Sequence, residues 1–224
     1  MALKKTFAFL FFFFFLLSCG KENSDNSSPA QSKVQDLSSA DSEILDSGPV
    51  PMEALTFSVN VKMIGFTPEQ EAMIYKAIEL IKQVVSSEDF RNQVLNKKYN
   101  GRLGFFDNEG LSNKQIYKKI LLASEVLNPD DHNNTMDLEL ELYQESSSTT
   151  IGYTYPNVTR IWINKKFLDQ FDAHNVADNL FHEWLHKLGF SHDTSYTASR
   201  RHTVPYAIGY LVRDLARSIN KSTI

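Results

Sequence analysis

Ala173–Leu188 reads AHNVADNLFHEWLHKL, and GFSHD follows at Gly189–Asp193. Val176, Leu180, Phe181, Trp184, Leu185 and Leu188 recur at spacings of three and four, which predicts an amphipathic helix. Asp172 is its N-cap and Gly189 its stop, since glycine adopts the left-handed conformation that turns a chain off a helix. His182 and His186 stand four apart, so both imidazoles project from one helix face towards a common point. Glu183 is displaced by about 100° from His182, which suits a carboxylate reaching a metal-held water rather than the metal. Phe190 and Ser191 carry the chain round, so that His192 returns to the same point. Three neutral nitrogen ligands with an open fourth position describe a catalytic zinc rather than a structural one. Given the chain's composition, this residue set at this spacing arises by chance in roughly 1 in 100,000 such sequences, so surface histidines on a helix are the weaker reading. His132, His174 and His202 read as ordinary polar residues outside the site.

Upstream of the motif the pattern is strand-rich. Met136, Leu138, Leu140 and Leu142 alternate with Asp137, Glu139, Glu141 and Tyr143, a strand with one wet face. Two further β-rich stretches, Thr150–Tyr155 and Val158–Asn164, are split by Pro156-Asn157. Earlier still, Leu55–Met63 alternates as a strand. Thr67-Pro68-Glu69-Gln70 then opens a helix with a capping box and a proline at its first position. Met73, Ile74, Ala77, Ile78, Ile81, Val84 and Val85 form the buried stripe of that helix. Between these lie a short helix at 88–96, a glycine-rich turn region around Gly101–Gly110 and a helix from Ser112 to about Glu125. After the motif, Ile208, Leu211, Val212, Leu215 and Ile219 predict a C-terminal helix over Val204–Ile219. The fold class is α+β: an α/β-like N-terminal lobe, the motif helix and a small C-terminal helical subdomain.

The ends and the charge bound the setting. Residues 1–18 read as a signal peptide: a basic Met1–Lys5 precedes an apolar Phe7–Leu17, too short for the roughly 20 residues of a membrane span. Leu16-Leu17-Ser18-Cys19 resembles the lipobox of bacterial lipoproteins, which implies cleavage before Cys19 and lipid attachment to it. Cys19 is the single cysteine of the chain, so it has no disulfide partner within it. Residues 19–52 read as a lipidated Cys with a disordered, serine-rich tether, and 53–224 as the catalytic domain. The expected location is the bacterial cell envelope, exported and lipid-anchored, with Gly20 after the Cys favouring the outer membrane over the inner. A formal net charge of −4 with no basic cluster argues against a nucleic-acid partner, because phosphate neutralisation needs grouped Lys and Arg.

His182–Asp193, HEWLHKLGFSHD, resembles the HExxHxxGxxH zinc-binding consensus of the metzincin metallopeptidases, including the Asp that follows the third His in the reprolysin-like branch. The resemblance implies a twisted, mostly parallel sheet with an antiparallel edge strand lining the cleft. Leu55–Met63, Asp137–Tyr143, Gly152–Tyr155 and Thr159–Asn164 take its first, third, fourth and fifth strand positions. It also implies one zinc ion on His182, His186 and His192, with Glu183 as general base. The family's tight turn beneath the metal carries a Met two residues before a Tyr; here Thr203-Val204-Pro205-Tyr206 holds Val204 in that place and keeps Tyr206. Val204 supplies an apolar floor, since packing there needs volume more than sulfur. Tyr206 binds zinc at rest, stabilises an oxyanion, or simply makes a local hydrogen bond. Asp193 orients a ligand or the turn rather than binding metal. The expected activity is hydrolysis of an extended peptide or protein substrate, paired along Gly152–Tyr155, by a monomer. The alternatives are a zinc amidase acting on cell-wall peptide and a non-catalytic zinc-binding envelope lipoprotein. A thermolysin-like site is set aside because no Glu follows Glu183 to act as a third ligand.

Overall fold

Alternation along Thr135–Tyr143 sets the centre of the molecule. In the computed structural model, which describes residues 57–128, 132–155 and 157–221, Met136, Leu138 and Leu140 point to the core and Asp137, Glu139 and Glu141 to the other face. This strand (β4) pairs in parallel with β1 (Ser58–Ile64) on one side and with β6 (Arg160–Asn164) on the other. β5 (Gly152–Thr154) closes the sheet by running antiparallel to β6, giving the order β1-β4-β6-β5. Parallel pairs need long crossovers: the one from β1 to β4 carries three helices, and the one from β4 to β6 carries the short strand β5. On the wet face, Arg160 bridges Glu139 at 2.7 Å and Glu141 at 2.6 Å across β4 and β6.

The helices cover the apolar face. α1 (Pro68–Val85) starts as its sequence dictates: Thr67 accepts from the Gln70 N–H, and the Gln70 side chain accepts from the Thr67 N–H. Its stripe of Ile74, Ala77, Ile78, Ile81, Val84 and Val85 is buried. α2 (Glu88–Leu95) follows, and then a two-stranded hairpin, β2 (Lys98–Tyr99) with β3 (Arg102–Leu103). Asn100-Gly101 makes that turn with both residues at positive φ, 48° and 78°, a hairpin signature at the start of the glycine-rich turn region expected around Gly101–Gly110. α3 (Asn113–Leu122) is capped by Ser112 and ends three residues before the expected Glu125. Ala123 adopts the left-handed conformation there, with φ 51°, and frees Glu125 to turn inward. α4 (Lys165–Leu168), a single turn capped by Asn164, was not expected from the sequence. α5 (Ala173–Lys187) is the motif helix, packed on α1 and against β5.

α6 (Val204–Lys221) corrects the expectation of a C-terminal subdomain. Val204, Ile208, Val212 and Ala216 recur every fourth residue and all enter the same core as the sheet. α6 lies along α5 and also touches α1 and α2, so it forms part of the one layer rather than a separate lobe. The expected strand Leu55–Met63 is observed from Ser58; Leu55 lies outside the described residues, as do the signal peptide, Cys19 and the tether to residue 52. Phe57, the first residue described, is buried edge-on against Trp184, with ring centroids 5.9 Å apart. The chain is therefore a mixed α/β protein with a mixed parallel and antiparallel sheet. Among the described residues, no helix is long and apolar enough to cross a membrane.

Candidate metal centre

The end of α5 builds the site. Leu188 is the C-cap and Gly189 takes φ 89°, so the Gly189 N–H reaches the His186 carbonyl at 3.0 Å and the Phe190 N–H the Leu185 carbonyl at 3.2 Å. That pair of bonds is a Schellman closure, which needs a residue without a Cβ penalty at its left-handed position. It also aims the Phe190 carbonyl back at the helix, where it accepts from His186 Nδ1 at 2.7 Å. The turn that stops the helix thus fixes the ring that ends it.

His182, His186 and His192 each offer one nitrogen, and these atoms all lie within 4.8 Å of one another. His182 Nε2 and His192 Nε2 are 3.2 Å apart. His192 Nδ1 donates to the Asp193 carbonyl at 3.0 Å, and His182 is bonded to the Pro205 main chain, where a proline offers only its carbonyl. Each imidazole is therefore oriented by a main-chain oxygen, an arrangement that fixes the tautomer of ligating histidines and raises their basicity towards a metal. His186 Nε2 is buried with no hydrogen-bond partner. An orphaned acceptor of this kind, facing two further imidazoles, fits a divalent cation with nitrogen preference; zinc is the ion such a donor set suits best.

Electrostatics agree with neutral rings. Burial pushes His182 well below the usual histidine range, His186 down to about 3 and His192 to about 4. Unprotonated imidazole is the form that ligates. Glu183 is 1% exposed, and its charge helps to raise the Tyr143 hydroxyl, which burial raises first. β5 passes the same helix one turn earlier: a Cβ on Gly152 would meet Asn179 Oδ1 at 2.9 Å. Tyr206 is buried in the first turn of α6, its ring 4.5 Å from His182 and 4.7 Å from His192. The tight turn expected at Thr203–Tyr206 takes a different form. A single 3-10 turn, Arg200–His202, is closed by Thr203, after which Val204 and Tyr206 are already helical.

The structure thus brings together His182, His186, His192 and Tyr206 and buries Glu183 on the same helix. Asp193 acts through its main chain: its carbonyl holds His192, while its exposed carboxylate accepts from the Ser195 N–H at 2.9 Å. His132 bonds Ser124, and His202 lies tilted against the Tyr99 ring, both apart from the triad. His174 faces Asp172 at 3.6 Å, also outside the triad. Arg200 was not singled out by its position in the sequence, yet its guanidinium lies 4.8 Å from the Tyr206 ring. Only the basic pair Arg200-Arg201 between His192 and Tyr206 marked it. Compared with protein-family models, with curated proteins and with solved structures, the chain finds no match.

Proposed function

We propose that this chain is a zinc-dependent endopeptidase of metzincin-like organisation, with His182, His186 and His192 holding the ion. The observation that carries the reading is the set of three neutral imidazoles, each turned by a main-chain carbonyl, with His186 Nε2 left orphaned among them. Beside it, on the same helix, sits a buried carboxylate that a purely structural three-histidine site has no need of. Zinc bound there would supply Lewis acidity, lowering the pKa of water and polarising a carbonyl. Glu183 takes a proton from the attacking water and passes it to the leaving amine nitrogen as the C–N bond breaks. Tyr206 faces the developing oxyanion as a hydrogen-bond donor. β5, the antiparallel edge of the sheet beside α5, offers main-chain groups along which an extended substrate can pair. In this reading the domain works outside the cytoplasm, tethered through a lipid on Cys19.

The test separates metal binding from chemistry. Glu183→Gln is expected to keep its zinc, measured by elemental analysis, and to lose about 10³-fold in turnover of a peptide library. His192→Ala is expected to lose most of its zinc. Equal turnover by E183Q and the parent would sink the general-base role, and full zinc stoichiometry in H192A would remove His192 from the ligands.

A further inference from the structure

Arg200 opens the 3-10 turn between the third histidine and Tyr206, and it is 4% exposed. Two aromatic rings lie against its guanidinium: Tyr206 at 4.8 Å from its central carbon and Tyr196 at 4.9 Å. Nη1 donates to the Thr194 carbonyl at 3.2 Å. Nε and Nη2 are buried and have no hydrogen-bond partner. Those two N–H groups form one edge of the guanidinium and point the same way, the parallel pair that matches the two oxygens of a carboxylate. A buried cation with an empty donor edge is costly unless an anion completes it. The neighbourhood sharpens that demand. Arg200 lowers the proton affinity of all three site histidines, so its positive charge lies close to them. A metal ion on those histidines would add further positive charge. The nearby Asp193 carboxylate interacts with Arg200 through space but spends its hydrogen bond on the Ser195 N–H, so it leaves the Nε and Nη2 edge unfilled.

We propose that the Nε and Nη2 edge of Arg200 binds a carboxylate of the substrate, either its chain terminus or an Asp or Glu side chain, next to the scissile bond. The substrate class so named rests on the peptidase reading above. Tyr206 links Arg200 to the histidines, since its ring lies against both. Tyr196, 62% exposed, is the solvent-facing ring against the guanidinium, and a shift of this surface side chain is the movement the proposal requires to admit an anion. An anchored carboxylate also fixes the register of the peptide along β5, which a main-chain ladder alone leaves free to slide.

The experiment is calorimetric binding to the full-length, zinc-loaded protein carrying E183Q, with three tripeptides acetylated at the N-terminus. One is all-alanine with a free C-terminal acid, one is its C-terminal amide, and one is the amide with a central Glu. The expected result is at least tenfold tighter binding of one or both acids than of the neutral amide; which acid gains identifies the source of the carboxylate. Arg200→Met should erase the preference at unchanged zinc content, and Arg200→Lys should reduce it at least threefold, since an ammonium lacks the paired edge. Should R200M fail to fold, R200K supplies the readout. Equal binding of all three peptides, or an undiminished preference in the Arg200 variants, overturns the assignment. A carboxylate preference without hydrolysis by the protein carrying Glu183 would uphold the Arg200 site and reject the peptidase reading. Hydrolysis without any preference would do the reverse.

Discussion

Gly209 lies inside α6, where alanine ordinarily stabilises a helix by about 1 kcal/mol over glycine. Here a Cβ would come within 2.5 Å of Asp178 Oδ1 and 3.4 Å of His182 Cβ. Asp178 has little room to give: it is 6% exposed and held by Arg213 at 3.0 Å. Overpacking of this kind costs about 1–3 kcal/mol, so it outweighs the propensity gain. Gly209→Ala is therefore expected to lower the thermal midpoint and to weaken zinc binding by displacing His182, both readable in one calorimetric series. A higher midpoint with unchanged zinc affinity would show that α5 and α6 do not meet as closely as 2.5 Å implies. Nothing in the sequence marks this glycine, because its constraint comes from another helix. Gly189 is the opposite case, since its place after Leu188 and its left-handed φ belong to the local turn.

At the scale of elements, α5 is tied to the sheet by buried polar contacts as well as by apolar packing, one through Lys187 to the Arg160 carbonyl of β6 and one through Glu125. Trp184 Nε1 donates to Glu125 Oε1 at 2.6 Å, and the Asp137 N–H of β4 reaches the same oxygen at 3.1 Å. Glu125 stands on neither element; it is delivered by the left-handed turn at Ala123. Burial raises its carboxyl, while the two donors pull the other way. Removing the acceptor strands two buried N–H groups, each worth about 1–3 kcal/mol when left unpaired. Glu125→Ala should thus destabilise the chain by about 2–4 kcal/mol in urea melts, and Glu125→Gln by clearly less because its side-chain carbonyl still accepts. Equal losses in the two variants would argue that the side-chain volume, not the acceptor, holds α5. The sequence predicted a helix from Ser112 to about Glu125, since a helical pattern reports a face but not where a tertiary hydrogen bond ends it.

For the whole molecule, the metal and the fold are linked. His182 and His186 lie on α5, His192 follows its closing turn, and the carbonyl holding His182 belongs to Pro205 at the start of α6. An ion bound by this set stabilises only the folded chain, by about 2.7 kcal/mol at a hundred times its dissociation constant. For a domain of this size that is a rise of roughly 5–10 °C in the thermal midpoint. Zinc added to the metal-free protein should produce that rise, a chelator should reverse it, and H192A should show little of it. No shift in the parent would remove the zinc site from the reading altogether.

The local features of this protein were legible in the sequence because each depends on neighbours in the chain. The capping box at Thr67–Gln70, the alternation of β4, the stripe of α1 and the i, i+4 pair of histidines all follow from backbone periodicity and short-range hydrogen bonding. The glycine stop after Leu188 belongs with them, and with it the return of His192. What only the tertiary structure decided are contacts between segments remote in sequence. The carbonyl of Pro205 on His182, the close passage of α6 at Gly209, the union of the C-terminal helix with the main core and the guanidinium of Arg200 against Tyr206 are of that kind. No periodicity encodes them, because they exist only once the apolar faces of α1, α5 and α6 have packed on the sheet.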